Sequence, residues 1–253
     1  MYPKTIVMKP NHATVNLLYK SALFLSVAVI AARPVDKLAH HTKHITVTDN
    51  RIPVNPEARR FVTDYIMENR EILHVVKCRS RVTFNMIDTV FEHYGLPAEI
   101  KYLAVVESEL KKNALSAVGA KGMWQLMPST AKQLGLRVDS SVDERGYAYK
   151  STVAAAKYLK DLYGEFGDWL LVLAAYNSGP APVYRAIKKS GSRDFWALQY
   201  NLPAESRLHV KRFIASHYYF EGKGSIATLT RSEWQAYAAT QSAIAAEGLV
   251  AMR

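Results

Sequence analysis

The sequence predicts an all-α fold, and three observations carry that expectation. Apolar residues recur at helical spacing in several segments, no alternating apolar–polar run extends beyond a few residues, and Gly or Pro stops separate the periodic stretches. Composition permits such a fold. The 253 residues, 49% hydrophobic and 22% charged, can bury a sizeable core as one domain with appendages or as two small ones, and global disorder is excluded. There is no internal repeat. Eight to ten helices around one core are expected.

The chain opens with Lys4, Lys9 and Lys20 ahead of SALFLSVAVIAA (21–32), which is uncharged and ends in small residues before Arg33-Pro34. That length suits the apolar region of a secretory signal and is short for a transmembrane span. Two fates fit it: cleavage near Ala31 or Ala32, or retention as an anchor giving N-terminal or peripheral membrane association. No cysteine follows, which speaks against a lipoprotein anchor. The formal net charge is +11, and removing residues 1–32 takes away three lysines and no acids, leaving +8. A basic exported chain suits an anionic extracytoplasmic partner. Export, with no zinc-finger spacing and no strong helix-turn-helix signal, argues against nucleic acid. Cys78 is the only cysteine, so neither an intrachain disulfide nor a cysteine-based metal cluster is available.

Residues 33–56 mix Pro34, His40-His41, threonines, Pro53 and Pro56 without a period and read as an extended linker, its HHTKH stretch (40–44) solvated. A helical lead-in over 57–90 follows. It begins with a helix from about 57 to 75 carrying Phe61, Tyr65, Ile66 and Ile72 near helical spacing. RVTFNMIDTVFEHYG (81–95) repeats the pattern with Phe84, Ile87, Val90 and Phe91, and Gly95 with Pro97 ends it. A helix is expected from about 98 to 112, then a glycine-bearing loop, SAVGAKGMWQLMPST (116–130), then a short helix ending near Gly135. KSTVAAAKYLKDLYGEFG (150–167) sets Ala155, Leu159, Leu162 and Phe166 on one stripe. DWLLVLAAYNSGP (168–180) is apolar nearly all round, which predicts a buried central helix stopped by Gly179-Pro180. A basic helix (182–189), a short one around Phe195-Trp196 and ESRLHVKRFIASHYYFEG (205–222) come next. The C-terminal extension, 223–253, contains a helix opening with a capping box from Thr230 to Glu233.

Within YLAVVESEL (102–110), helical geometry sets Leu103, Glu107 and Leu110 within about 40° of one another, while Glu109 points roughly 120° away toward Lys112. Glu107 thus lies on the face that ought to be buried. An ionised carboxylate there is costly unless it is paired or functional. Burial against Leu103, Val106 and Leu110 would favour a protonated carboxyl near neutral pH, as a general acid for glycosidic cleavage requires.

VVESEL, then GAKGMWQLMPSTA, AAYNSGP and LPAESRLHV, four motifs in order, resemble the soluble-lytic-transglycosylase domain, with the membrane-bound D type most similar. The similarity spans roughly residues 90–222, with a catalytic domain at 91–222. It implies a lysozyme-like multi-helix fold and a lytic transglycosylase of the periplasm or cell envelope acting on peptidoglycan glycan strands as a monomer. In that family one glutamate, here Glu107, protonates the leaving oxygen of the MurNAc-GlcNAc β-1,4 bond. As a carboxylate it then takes the proton of the muramoyl 6-hydroxyl, which attacks its own anomeric carbon with help from the acetamido oxygen and leaves a 1,6-anhydro end.

The resemblance assigns Ser108, Ser116, Met123, Gln125, Tyr176, Asn177 and Glu205 to substrate binding. Trp124 stands where the family varies. Gly119 and Gly122 let the loop backbone approach a sugar. Ser206 and His209 depart from a family step that often carries tyrosine, and DERGYAYKST (143–152) lacks a common Asp-Pro pattern. No metal or organic cofactor is implied, and no His-x-x-x-His spacing falls on a helix. Hydrolysis remains open on the residues alone, because Asp139, Asp143, Asp168 or Glu205 could supply a second carboxylate. Two rivals follow: a lysozyme-like muramidase and a non-catalytic wall-binding module, the latter disfavoured by the intact set of Glu107, Gln125 and Tyr176-Asn177.

Overall fold

The computed structural model describes residues 52–251, with side chains to 247, and these lie within one compact unit. The expected signal segment 1–32, most of the expected linker and HHTKH (40–44) lie outside the described residues. Among those described there are eleven α-helices, four short 3-10 turns and no strand, only isolated antiparallel bridges. This is one more than the eight to ten helices expected, because Asn69 breaks one expected helix in two.

Helices α1 (Pro56–Glu68) and α2 (Arg70–Arg79) come first. Asn55 caps α1 by accepting from the Glu57 amide at 2.8 Å, with Pro56 at the first helical position, where its missing N–H costs nothing. The buried stripe here is Ala58, Val62, Leu73 and Val76 rather than the expected Phe61, Tyr65, Ile66 and Ile72, which are only partly covered or exposed. Helix α3 (Arg81–Tyr94) buries Phe84, Ile87, Val90 and Phe91 as expected and stops at Gly95, whose φ of 68° a side chain would resist.

The expected helix over 98–112 is shorter. A 3-10 turn (Ala98–Lys101) leads into α4 (Tyr102–Ser108), and Glu109 and Leu110 then take left-handed backbone, φ 54° and 65°. The Leu110 amide reaches back to the Ala104 carbonyl at 3.2 Å, closing the helix in a Schellman-like turn, and Arg79 Nη2 donates to the Glu109 carbonyl at 2.8 Å. Glu109 therefore leaves the helical register. It is half-buried and paired with Lys111 at 2.7 Å, not turned to solvent beside Lys112.

Helix α5 (Pro128–Gln133) precedes α6 (Ala148–Phe166), whose Ala155, Leu159, Leu162 and Phe166 are all buried. Helix α7 (Trp169–Ser178) is the central one, with every residue from Trp169 to Ala175 buried. Asp168 caps it, accepting from the amides of Leu170 and Leu171. Helices α8 (Pro180–Ser190) and α9 (Phe195–Leu198) follow, then α10 (Ala204–Glu221), which packs on α1, α4 and α7, and α11 (Arg231–Ala251). The capping box at the start of α11 forms: Glu233 Oε2 accepts from the Thr230 amide at 2.7 Å, and Thr230 Oγ1 from the Glu233 amide at 3.3 Å.

Candidate active-site groove

The left-handed stop after α4 sends the chain back across the end of its own helix, and a groove of about 630 Å³ opens there. It is lined by Glu107 from α4, by the 116–127 loop, by Tyr158 of α6, by the C-terminal end of α7 and by Glu205 at the start of α10. Six sequence-chosen residues meet in it: Glu107, Ser116, Gln125, Tyr176, Asn177 and Glu205.

Two others do not. Ser108 is buried and donates to the Met123 carbonyl at 2.8 Å, and Met123 itself is 0% exposed in the core. Both hold up the groove floor from beneath. Trp124, between the motif residues, is equally buried; its indole donates to Thr152 Oγ1 at 2.9 Å and packs against Phe91.

Gln125 adopts φ 47°, unusual for a side chain larger than glycine, and this turns it toward the groove while Trp124 and Met123 turn inward. Its amide nitrogen donates to the Gly122 carbonyl at 2.9 Å and the Ala114 carbonyl at 3.3 Å, which fixes the rotamer. The Ser116 hydroxyl accepts from the Ala120 amide at 2.9 Å, closing the loop tip.

A buried arginine that nothing in the sequence marked holds this loop. Arg145 donates to the carbonyls of Gly119 (2.6 Å) and Leu126 (2.9 Å) and forks onto Asp143. Arg145 and then Lys121 hold the Asp143 carboxyl down at about 2. At Gly122, φ 85°, an added Cβ would lie 2.0 Å from the Arg145 carbonyl oxygen, so the two backbones touch where only glycine fits.

On the far wall Tyr176 donates its hydroxyl to the Trp124 carbonyl at 2.7 Å and packs on Tyr158 with ring centroids 5.5 Å apart. Burial, and next the charge of Glu107, push its phenol well above its ordinary range, so it stays a donor. Asn177 accepts from Ser206 Oγ at 2.9 Å. Glu107 itself is paired: its Oε1 lies 2.9 Å from His209 Nε2, and His209 is 3% exposed.

Of the carboxylates left open by sequence, only Glu205 reaches the groove, where Arg212 pairs with it at 2.5 Å. Asp139 is held by Arg137 and Ser141 on the surface, Asp143 by Arg145, and Asp168 serves as the α7 cap. Among the described residues, no cluster of three or more His, Cys, Asp or Glu side chains could hold a metal, and no helix is long and apolar enough to cross a membrane. Sequence reasoning missed Val118, Met127, Thr130 and Tyr158 as groove residues; Val118 and Met127 are exposed apolar side chains at its edge.

Residues 90–199, which supply all of the groove but Glu205, match the family model of the transglycosylase SLT domain. The matched stretch is 110 of the 253 residues. The chain is similar to membrane-bound lytic murein transglycosylase D of Escherichia coli K12, 36% identical over 169 residues, covering 65% of this chain and 37% of the relative. It is also similar to soluble lytic murein transglycosylase of Salmonella typhimurium, 33% identical over 144 residues, 53% of this chain and 22% of that protein. The chain thus spans well under half the length of either relative. The fold is shared with the 70-kDa soluble lytic transglycosylase in its complex with bulgecin A, at a TM-score of 0.50 and 22% identity, covering 68% of this chain and 32% of that one.

Proposed function

We propose that this protein is an exported lytic transglycosylase of the cell envelope, cleaving peptidoglycan glycan strands with residues 91–222 as its catalytic region and 57–90 as a lead-in. The observation that carries this reading is the convergence of Glu107, Gln125, Tyr176 and Asn177 on one groove within the SLT domain. In this reading Glu107 gives its proton to the glycosidic oxygen between MurNAc and GlcNAc, and the C1–O4 bond breaks. Positive charge develops on the muramoyl ring beside the Tyr176 and Glu107 oxygens. The 6-hydroxyl of the same sugar then bonds to C1 and returns its proton to the Glu107 carboxylate. A 1,6-anhydro end forms, no water is consumed, and the enzyme regains its starting state. Ser116, Gln125 and Asn177 orient the sugars, the first two held by backbone groups and Asn177 by the Ser206 hydroxyl, which limits the entropy lost on binding.

One observation keeps hydrolysis in view: Glu205 shares the groove and could hold a water. Its pairing with Arg212 weighs against that role. Mass spectrometry of the muropeptides released from purified wall separates the two, because an anhydro end is lighter than a reducing end by one water. Glu107→Gln keeps the shape and removes the transferable proton. We expect it to unfold at the wild-type temperature and to lose about 10²–10⁴ in turnover; near-wild-type activity would refute the assignment.

A further inference from the structure

His209 is buried on α10, and only one of its ring nitrogens has a partner. Nε2 meets Glu107 Oε1 at 2.9 Å, while Nδ1 is shut away from solvent with no hydrogen bond. The two tautomers leave different residues of cost. With the proton on Nε2, the ring donates to Oε1, and Nδ1 buries only a lone pair. With the proton on Nδ1, a buried N–H is left without an acceptor, which proteins rarely tolerate. In that case Oε1 would also have to carry the carboxyl proton and spend it on Nε2, away from any substrate. The neighbouring side chains supply no alternative: Ser206, one turn earlier on α10, is committed to Asn177, and Tyr176 to the Trp124 carbonyl.

We propose that His209, held as its Nε2–H tautomer, is the positioning residue of Glu107: it occupies Oε1 as an acceptor and so leaves the transferable proton to Oε2, the oxygen free to meet the groove. The inference rests on the reading of Glu107 as the proton donor. It also gives α10 a second purpose. Through His209 and Ser206 one helix face holds both Glu107 and Asn177, so the two walls of the groove are fixed from a single support.

The test combines a spectrum with two variants. Long-range ¹H–¹⁵N correlation of the intact protein should show the His209 proton on Nε2; a proton on Nδ1 overturns the proposal whatever the variants do. His209→Phe removes the donor and keeps most of the volume, and it should lower kcat about 10–100-fold on a short glycan with KM unchanged. His209→Gln returns an N–H near Oε1 and should recover most of the loss. A folded His209→Phe with wild-type kcat, or a folded His209→Gln no better than His209→Phe, overturns it. If Glu107→Gln is inactive while His209→Phe is fully active, only the positioning role fails; an active Glu107→Gln removes the functional reading itself.

Discussion

The Tyr176 hydroxyl donates to the Trp124 carbonyl at 2.7 Å, so the ring that faces the groove also anchors the loop beneath it. Tyr176→Phe strands that carbonyl and is expected to cost about 1–3 kcal/mol in stability. Turnover per folded molecule should fall as well, since Gln125 follows Trp124 directly. Thermal unfolding and activity normalised to folded protein check both; a destabilised but fully active variant would mark Tyr176 as a packing residue. At this scale the motifs made six groove residues legible before any coordinates, but they record identity and not direction. Ser108 and Met123 belong to the same strings and are buried, while the backbone turns left-handed at Glu109, Leu110 and Gln125. Those conformations fall on Glu, Leu and Gln, where no glycine announces them. His209 stood out only as a departure from the resemblance, and the bond that gives it meaning spans 102 residues.

Elements were legible where one stripe of apolar residues met one buried face, as in α3, α6 and α7. They were not legible where a tertiary bond decided the boundary: α4 ends where the Arg79 guanidinium takes the Glu109 carbonyl, a contact between distant segments. Two buried groups at helix junctions make the elements sensitive to pH in opposite senses. Asp168 caps α7 and accepts from the Arg231 amide, tying α11 to it; burial pushes its carboxyl up to about 6 despite the three amides it accepts. Its contribution is therefore present below about 3.8 and lost as pH rises through 6. His217 on α10, bonded to Ser225 Oγ, is pushed down to about 4 by burial, so its contribution is present above about 6.5 and lost as pH falls through 4. Each shift is worth about 3 kcal/mol. The two offset each other, and we expect stability between pH 4 and 6.5 to vary little on their account. Asp168→Asn should leave stability rising with pH across that window, and His217→Gln should leave it falling. Urea unfolding of both variants at pH 4, 5, 6 and 7 checks the signs; parallel curves would refute the compensation.

For the molecule as a whole, the formal charge of +11 bears on how a basic protein finds an anionic polymer. Of the lysines near the motifs, Lys111 pairs with Glu109 and Lys121 with Asp143, while Lys112, Lys188 and Lys189 are exposed. Attraction to wall carboxylates should therefore be carried by these three and by more distant charges. Screening shortens from about 30 Å at 0.01 M salt to roughly 8 Å at physiological ionic strength. Activity on intact sacculi is expected to decline over that range, while cleavage of a short, weakly charged glycan stays nearly constant. Equal salt dependence for the two substrates would mean that the surplus charge serves solubility alone.

The contact between Gly122 and the Arg145 carbonyl has a genetic consequence. A Cβ at 122 collides with main chain, and every amino acid at 145 carries the same carbonyl. No exchange of side chain at 145 can relieve Gly122→Ala, and the change would also free the arginine that holds Gly119 and Leu126. Intragenic suppressors would have to arise where the chain path itself can be redrawn, in the turn between α5 and α6. A lineage carrying this seam is confined to glycine at 122 for as long as it keeps the path of both strands of chain.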